Sequence, residues 1–440
     1  MLDFIIHNAT ILPMTENLPV WESGWIGIQN GIITEISPTT PTTFPAAKEM
    51  INGQKGIVLP GLINAHTHLP MSLFRGVGPD VPLQKWLKEY IFPAEAKFIT
   101  PESVFVGTQL SCAEMLLGGI TTCCDGYFYE DHIAKAVEQS GMRAILGQSV
   151  LDFPIPGVLD MKDILPTSFG FVEKWIHRCD RILPSIFCHA PYTCSIDTLK
   201  KAKAFTRQKN VLFQIHVSET KSENDIFFQE HGLSPIEMLY KNNLLDPQTL
   251  LIHSVWLSDQ DISYLSQANA SIVHCPESNM KLSSGIMPFE SLCYQNVTLA
   301  IGTDGCASNN NQDLFGEMDV AAKLHKVSTG DPTVANAGTI LSMATRTGAK
   351  ALGLDHLIGT LEKGKQADLI LVSTQAPHML PMYDPISHIV YTATASDVDS
   401  VFIQGNPIVR HRQLLTINLE KLFDALVPIS NEIRQFITSL

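Results

Sequence analysis

The chain has 440 residues, 45% of them hydrophobic and 17% charged, a composition that excludes a disordered or fibrous protein. Lys and Arg number 30 against 44 Asp and Glu, so the formal net charge is −14 and a partner with a phosphate backbone would be repelled. We therefore expect no nucleic-acid partner.

The N-terminal residues lack the basic segment of a secretory signal, and no uninterrupted apolar run reaches the ~18 residues of a membrane span. The nine cysteines include no Cys-x-x-Cys pair, which is typical of reduced thiols. We expect a soluble, cytoplasmic protein with no membrane partner. The sequence leaves the formation of a homo-oligomer open.

Both ends of the chain have the pattern of short β-strands. Residues 3–13 and 25–36 combine β-branched residues with Asn-Gly and Pro breaks, and a similar pattern returns near the C-terminal end, before a helical stretch. We expect residues 1–57 and 359–440 to build one small β-sandwich domain with a C-terminal helix.

The middle of the chain alternates short apolar runs with helix-length segments such as Glu102–Leu117. Eight runs occur, and each ends in polar or ionisable residues. Repeated strand and helix alternation predicts parallel strands, and eight such units fit a TIM barrel, whose length ranges from ~200 to more than 400 residues. We expect an α/β fold with a (β/α)8 barrel over residues 58–358.

Histidines and an aspartate stand where these predicted strands end, which is the catalytic face of a TIM barrel. His66 and His68 are two residues apart on the first strand, so their imidazoles project from one face. The fifth, sixth and eighth runs end near His216, His253 and Asp304. Such N/O donors are typical of a catalytic metal site and suit zinc, with iron or manganese as alternatives.

Several motifs resemble those of the amidohydrolase superfamily. They are PGLINAHTH (Pro60–His68), HVSE (His216–Glu219), HCPESN (His274–Asn279) and GTDGCASNN (Gly302–Asn310). Together with LFRG (Leu73–Gly76), FPAEAK (Phe92–Lys97) and LDFPIPG (Leu151–Gly157), they closely resemble its 5′-methylthioadenosine/S-adenosylhomocysteine deaminases. The likeness covers nearly the whole chain.

This resemblance implies hydrolytic deamination of an adenine nucleoside. It implies one divalent ion, usually zinc, on His66, His68, His216 and Asp304. It also implies that Glu219 relays a proton to the substrate, while His253 and Asp304 hold and deprotonate the attacking water.

Four further residues are candidates for binding a small nucleoside substrate. Glu95 matches a family carboxylate that accepts the ribose hydroxyls, although an exposed helix acid is the alternative. Trp86 resembles the family residue that forms an apolar wall of the pocket, and the alternative is a helix residue that packs in the hydrophobic core. His189 is a candidate hydrogen-bond partner of the purine or the sugar, and the alternative is a histidine buried in the core. Gln148, on the third predicted strand, is the fourth candidate.

The region after the third strand favours 5′-methylthioadenosine over S-adenosylhomocysteine. The latter carries a carboxylate that would favour an Arg contact, and residues 147–157 contain no Arg. Arg143 lies earlier, near the expected start of the strand. Leu151, Phe153 and Ile155 instead offer an apolar surface for a methylthio group.

Two alternatives remain open at this point. The first is a sibling deaminase or dechlorinase that acts on guanine, another purine or a triazine. The second is a non-catalytic scaffold with an amidohydrolase fold. Glu95 favours a nucleoside over a free base, and the intact set of predicted ligands with Glu219 favours an enzyme.

Overall fold

The computed structural model describes residues 1–78, 80–81 and 83–439. Its strands are β1 (Leu2–Ile11), β2 (Trp21–Gln29), β3 (Ile32–Ser37), β4 (Ala47–Asn52), β5 (Ile57–Pro60), β6 (Leu62–Thr67), β7 (Ile120–Tyr127), β8 (Arg143–Val150), β9 (Ile182–Cys188), β10 (Phe213–Val217), β11 (Thr249–His253), β12 (Ser271–His274), β13 (Thr298–Ile301), β14 (Leu369–Val372), β15 (Val398–Ile403), β16 (Asn406–Arg410) and β17 (Gln413–Leu414).

The α-helices are α1 (Leu83–Trp86), α2 (Phe92–Phe98), α3 (Pro101–Leu117), α4 (Glu130–Ser140), α5 (Ile164–Trp175), α6 (Ile196–Lys209), α7 (Lys221–His231), α8 (Pro235–Lys241), α9 (Asp259–Ala268), α10 (Pro276–Lys281), α11 (Phe289–Tyr294), α12 (Cys306–Asn309), α13 (Leu314–Thr329), α14 (Ala337–Met343), α15 (Arg346–Ala351), α16 (Pro385–Tyr391) and α17 (Leu419–Ser439). A π-helical turn, Leu87–Ile91, joins α1 to α2, and short 3-10 helices cover Leu69–Phe74, Met161–Asp163, Pro377–Met379 and Ala395–Asp397.

The chain divides into two compact units. The first comprises residues 1–64, 113–122 and 313–416, and the second comprises residues 65–112, 123–312 and the chain from Ile417 onward. Strands from both chain ends form one mixed sheet in the first unit, in the order β17-β16-β15-β14-β5-β1-β2-β3, with β4 also paired to β1. The prediction that both termini contribute to one β structure is confirmed.

Alternation along β1 gives this sheet two apolar faces. Ile6 packs in a cluster with Ile26 and Phe402, whereas its neighbour Ile5 packs in a separate cluster with Trp25. Successive strand side chains point to opposite faces, so adjacent residues serve different clusters.

The predicted barrel is confirmed by an eight-stranded sheet whose order follows the chain from β6 to β13. The strands from β8 to β13 pair in parallel. Just past β13, the Asp304 N–H donates to the His66 carbonyl of the first strand at 3.0 Å, so the two ends of the sheet meet. Strands such as β7, β8 and β10 are buried along their whole length, as expected of a parallel sheet covered on both faces.

The C-terminal helix α17 belongs to the second unit. Its Phe436 ring contacts the Phe98 ring edge-on at 5.4 Å, and the Lys97 ammonium lies over Phe436. The domain limits drawn from the sequence, at 57/58 and 358/359, stay a prediction. Within the part of the chain that the structure describes, no helix has both the length and the apolar character needed to cross a bilayer.

Candidate active site

Four buried side chains converge at the C-terminal end of the barrel strands. The Nε2 atoms of His66 and His216 are 3.2 Å apart, and Oδ1 of Asp304 is 3.3 Å from Nε2 of both His66 and His68. One ligand atom from each of the four residues lies within 4.8 Å of all the others. The structure therefore brings together the four residues that the sequence assigned to a metal.

Unusual backbone conformations at the strand ends orient several of the side chains in this region. Asp304, His253 and Ser218 have φ values of 59°, 69° and 52°, in the left-handed region that non-glycine residues rarely adopt. Each stands at or just beyond the end of its barrel strand. Such conformations persist where the surrounding structure imposes them, and they concentrate at functional sites.

The donor set fits a divalent cation. The shortest separations between ligand atoms, 3.2 and 3.3 Å, are short enough for bonds of about 2.0–2.2 Å from each atom to one shared cation. Burial lowers the pKa of His66 to about 4 and that of His216 well below its usual value, so both imidazoles are neutral and can bind a metal. Burial opposes ionisation of Asp304, but the hydrogen bond with His66 and the charge that the neighbouring histidines carry when protonated hold its pKa well below the usual range.

A second layer of contacts orients the ligands. The Gly126 carbonyl accepts from Nδ1 of His68 at 2.7 Å, which leaves Nε2 for the metal. The Oγ atoms of Ser278 and Ser308 donate to Oδ2 of Asp304 at 2.7 and 2.8 Å, which leaves Oδ1 for the metal. Sequence reasoning missed both serines, although each lies within a quoted motif.

Glu219 and His253 lie beside the four ligands. Oε2 of Glu219 is 3.9 Å from Nε2 of His253, and the Ser284 hydroxyl donates to Oε1 of Glu219 at 3.2 Å. Nδ1 of His253 donates to Oδ1 of Asn279 at 2.9 Å, so Nε2 carries the free lone pair. Burial raises the pKa of Glu219, so this carboxyl group holds a proton more readily than an exposed glutamate would.

The loop that bears Glu219 is held by a half-buried acid, Glu223. The N–H groups of Ser218 and Glu219 each donate to the Glu223 carboxylate at 2.9 Å. The Thr220 hydroxyl in turn accepts from the Glu223 N–H at 3.2 Å and caps α7. This reciprocal capping fixes the backbone of Glu219 relative to the helix.

One pocket connects the four-ligand cluster and Glu219 to three of the predicted substrate groups, Trp86, Glu95 and His189. Glu95 is buried, its Oε1 accepts from the Tyr127 hydroxyl at 2.6 Å, and burial raises its pKa to about 7. Nε1 of Trp86 donates to the Val77 carbonyl at 3.1 Å.

The π-helical turn positions Trp86 and Glu95 on the same pocket. Pro93, near the start of α2, has no N–H to donate and would crowd the carbonyl four residues earlier in a regular helix. The wide turn accommodates it, with the Phe92 N–H donating to the Leu87 carbonyl.

His189 presents an acceptor to the pocket. The Thr193 hydroxyl donates to the Ala190 carbonyl, so its oxygen accepts from Nδ1 of His189 at 2.9 Å. Burial lowers the pKa of His189 to about 4, and the ring is neutral. Its Nε2 is therefore free to accept a hydrogen bond.

Gln148 is not brought into this pocket. Its Oε1 accepts from the Glu130 N–H at 3.2 Å, and the side chain lines a different depression beside α4 and α5. Its neighbour Ser149 lines the pocket instead, because successive side chains on β8 face opposite sides of the sheet. The assignment of Gln148 to substrate binding therefore has no support in the geometry.

A large part of the pocket lining is apolar. The segment after β8 contributes Leu151, Phe153 and Ile155, and the helical segment from Leu83 to Phe92 contributes further apolar side chains. Among the described residues, no Arg or Lys lines the pocket. Arg143 is buried at the start of β8, where its Nη1 donates to the Asp180 carbonyl at 3.4 Å.

Comparison with known proteins identifies relatives along the full chain. The model of the amidohydrolase family matches residues 57–408. A 5-methylthioadenosine/S-adenosylhomocysteine deaminase from Syntrophobacter fumaroxidans is 42% identical, with 98% of each chain covered, and a 5′-deoxyadenosine deaminase from Methanosarcina acetivorans is 40% identical, with 96% of each covered. The crystal structure of an adenosine deaminase from Xanthomonas campestris with bound zinc superposes with a TM-score of 0.95 at 34% identity, covering 99% of each chain.

Proposed function

Because the chain belongs to the amidohydrolase family, we propose that this metal-dependent deaminase of adenine-type nucleosides uses zinc and prefers 5′-methylthioadenosine. One observation carries the proposal. A single pocket combines the four-ligand cluster and Glu219 with a buried carboxylate, Glu95, and an apolar wall that has no cation among its described residues.

The reaction consumes water and releases ammonia, converting the adenine ring to the corresponding hypoxanthine. When bound, a divalent metal ion would lower the pKa of a water molecule so that hydroxide is available near neutral pH. Nε2 of His253, with its free lone pair, accepts a hydrogen bond from the attacking water and orients it. The attacking water loses one proton to His253 and Asp304, Glu219 gives a proton to the ring nitrogen next to the attacked carbon, and the new carbon–oxygen bond forms. As the carbon–nitrogen bond then breaks, the amino group takes up the first of these protons and leaves as ammonia, while the new hydroxyl returns a proton to Glu219 and becomes the carbonyl.

Glu95 and His189 hold the nucleoside in this orientation. The carboxylate of Glu95 accepts hydrogen bonds from the two ribose hydroxyls, and Nε2 of His189 accepts one from the purine or the sugar. Zinc is supported by the N/O donor set and by the zinc in the similar crystal structure.

The apolar wall favours a short apolar 5′ substituent. A methylthio group buries its surface there, with a gain of about 0.8 kcal/mol for each methylene equivalent. The carboxylate of S-adenosylhomocysteine would lose water without gaining an Arg or Lys partner among the pocket residues described. 5′-Deoxyadenosine fits the wall but leaves part of it unfilled.

Steady-state ammonia release on a panel of nucleosides, with metal analysis of the same sample, tests this proposal. We expect the kcat/KM for 5′-methylthioadenosine to exceed that for S-adenosylhomocysteine by about tenfold or more, the factor that one unpaired buried polar group supplies. The reverse preference would contradict the choice of substrate. No turnover of any adenine nucleoside at full zinc occupancy would leave the non-catalytic scaffold as the better account.

A substitution that should change the substrate preference gives a second test of the proposal. Phe153, which is 40% exposed at the pocket, can be changed to Arg without burying the new charge. Phe153→Arg should move the ratio of kcat/KM values toward S-adenosylhomocysteine, because a guanidinium would then face the substrate carboxylate. Phe153→Leu is the matched control and should keep the preference for 5′-methylthioadenosine.

A further inference from the structure

The end of β7 touches both the metal-binding and the sugar-binding parts of the pocket. The Gly126 carbonyl accepts from Nδ1 of His68 at 2.7 Å, and the next residue, Tyr127, donates its hydroxyl to Oε1 of Glu95 at 2.6 Å. Tyr127 itself is buried and lines the pocket. Two consecutive residues thus connect a metal ligand with the proposed sugar-binding carboxylate.

We propose that Tyr127 is a positioning residue that determines specificity for the ribose hydroxyls. By donating to Oε1 of Glu95, it fixes the carboxylate plane and directs Oε2 toward the two sugar hydroxyls. A carboxylate accepts several hydrogen bonds, so the contact with Tyr127 leaves enough acceptor capacity for both. This inference rests on the proposed function, because it assumes that the substrate carries a sugar.

The backbone of Tyr127 is held on two sides. Oε1 of Glu130 accepts from the Tyr127 N–H at 2.9 Å. A Cβ added to Gly126 would lie 2.4 Å from the Phe187 ring, so the strand end packs directly on that ring. The Tyr127 hydroxyl therefore reaches Glu95 from a fixed base, which a positioning role requires.

A buried pair of carboxyl groups anchors the same segment. Oδ1 of Asp125 accepts from the Leu69 N–H at 2.5 Å, next to His68 in the chain. Asp125 and Glu130 are both fully buried and hydrogen-bond to one another, which requires one proton between them. Burial, together with the charge of Asp125, raises the pKa of Glu130 well above its usual value.

Tyr127→Phe tests the proposal, because it removes the donor and keeps the ring. We expect the KM for 5′-methylthioadenosine to rise about tenfold, because Oε1 of Glu95 loses its hydrogen-bond donor, and we expect a much smaller change in kcat. The kcat/KM for 2′,3′-dideoxyadenosine, which lacks both hydroxyls, should stay at the wild-type value. Tyr129→Phe is the matched control, since Tyr129 lies two residues further on and does not line this pocket.

A double-mutant cycle separates positioning from a general structural effect. Tyr127→Phe should have no further effect in a Glu95→Ala background, because its action passes through that carboxylate. An equal loss with both nucleosides, or an unchanged KM for 5′-methylthioadenosine, would overturn the proposal. Failure of the wild-type protein to deaminate any nucleoside would instead refute the proposed function.

A second pair of variants applies if Tyr127→Phe does not fold. Glu130→Gln can still accept from the Tyr127 N–H and donate to Asp125, and it should keep the wild-type ratio of the two nucleosides. Glu130→Met removes both hydrogen bonds and should lower the kcat/KM for 5′-methylthioadenosine relative to that for 2′,3′-dideoxyadenosine. The same ratio in both variants would overturn the proposal.

Discussion

The two ends of the pocket are built on opposite physical principles. At the metal end, hydrogen bonds hold the ligand atoms that do not face the metal. Oδ2 of Asp304 accepts from the Ser278 and Ser308 hydroxyls, and Nδ1 of His68 donates to the Gly126 carbonyl. At the other end, the wall after β8 offers almost no polar groups. The chemical step requires catalytic groups held at fixed positions, whereas binding of a short apolar substituent requires only an apolar surface against which it is buried.

This contrast predicts different kinetic signatures. Changes at the metal end should lower kcat for every nucleoside, because the chemical step is common to all substrates. Changes at the sugar end and along the apolar wall should act on KM and only for substrates that carry the matching group. We expect the largest losses of activity from changes at the metal end and smaller losses from changes at the sugar end.

Removal of the metal should abolish turnover. The three imidazoles and Asp304 form a single buried donor set, so chelation, or His216→Ala, should lower kcat by about 10⁴-fold or more for all nucleosides. Zinc analysis and ammonia release on the same sample measure the effect, and added zinc should restore the chelated protein but not the variant. Full activity in a metal-free sample would contradict the assignment.

Glu219→Gln should lower kcat by about 10²–10⁴-fold while zinc content stays unchanged. The amide keeps the shape and the contact with Ser284 but cannot relay a proton. Glu230→Gln, on the exposed surface of α7, is the control and should behave like wild type. Loss of zinc from Glu219→Gln would place this residue in the metal site rather than in proton transfer.

Glu95→Ala should lower the kcat/KM for 5′-methylthioadenosine by about 100-fold, because two hydroxyl contacts to a buried carboxylate are lost. The kcat/KM for 2′,3′-dideoxyadenosine should change little. Parallel steady-state kinetics on the two nucleosides measure the difference. Equal damage to both would show that Glu95 acts through folding, and the division between the two ends of the pocket would not hold there.

The smallest effect is a pH dependence of sugar recognition. Burial raises the pKa of Glu95 to about 7, and only the ionised form accepts from both hydroxyls. As the pH falls through about 7, Glu95 becomes protonated, so the kcat/KM for 5′-methylthioadenosine relative to that for 2′,3′-dideoxyadenosine should fall, by about tenfold from pH 8 to pH 6. The ratio cancels titrations of the metal site, and a flat ratio in the wild type would contradict a role for ionised Glu95.

Much of the fold could be predicted from local patterns. Eight apolar runs ending in polar residues predicted the eight barrel strands, and the two-residue spacing of His66 and His68 placed both imidazoles on one face. These are properties of neighbouring residues along one strand, and alternation determines them without knowledge of the rest of the chain. The family motifs identified His216 and Asp304, the ligands that lie far from His66 and His68 in the sequence.

Alternation alone was not enough on β8. It separates Gln148 from Ser149, but it does not say which of the two faces the barrel interior and the pocket. That depends on the direction from which α4 and α5 cover the strand. The sequence-based choice of Gln148 therefore selected the face that the pocket does not use.

Local sequence patterns are sufficient to predict the number of barrel strands, their alternation with helices and the residues that stand at the strand ends. They do not predict which side chains from separate elements meet: Tyr127 with Glu95, Ser278 and Ser308 with Asp304, and Phe436 of the C-terminal helix with Phe98. The physical reason is that periodicity orients a side chain relative to its own strand or helix, whereas contacts between elements far apart in the chain depend on barrel closure and on the paths of the connecting loops.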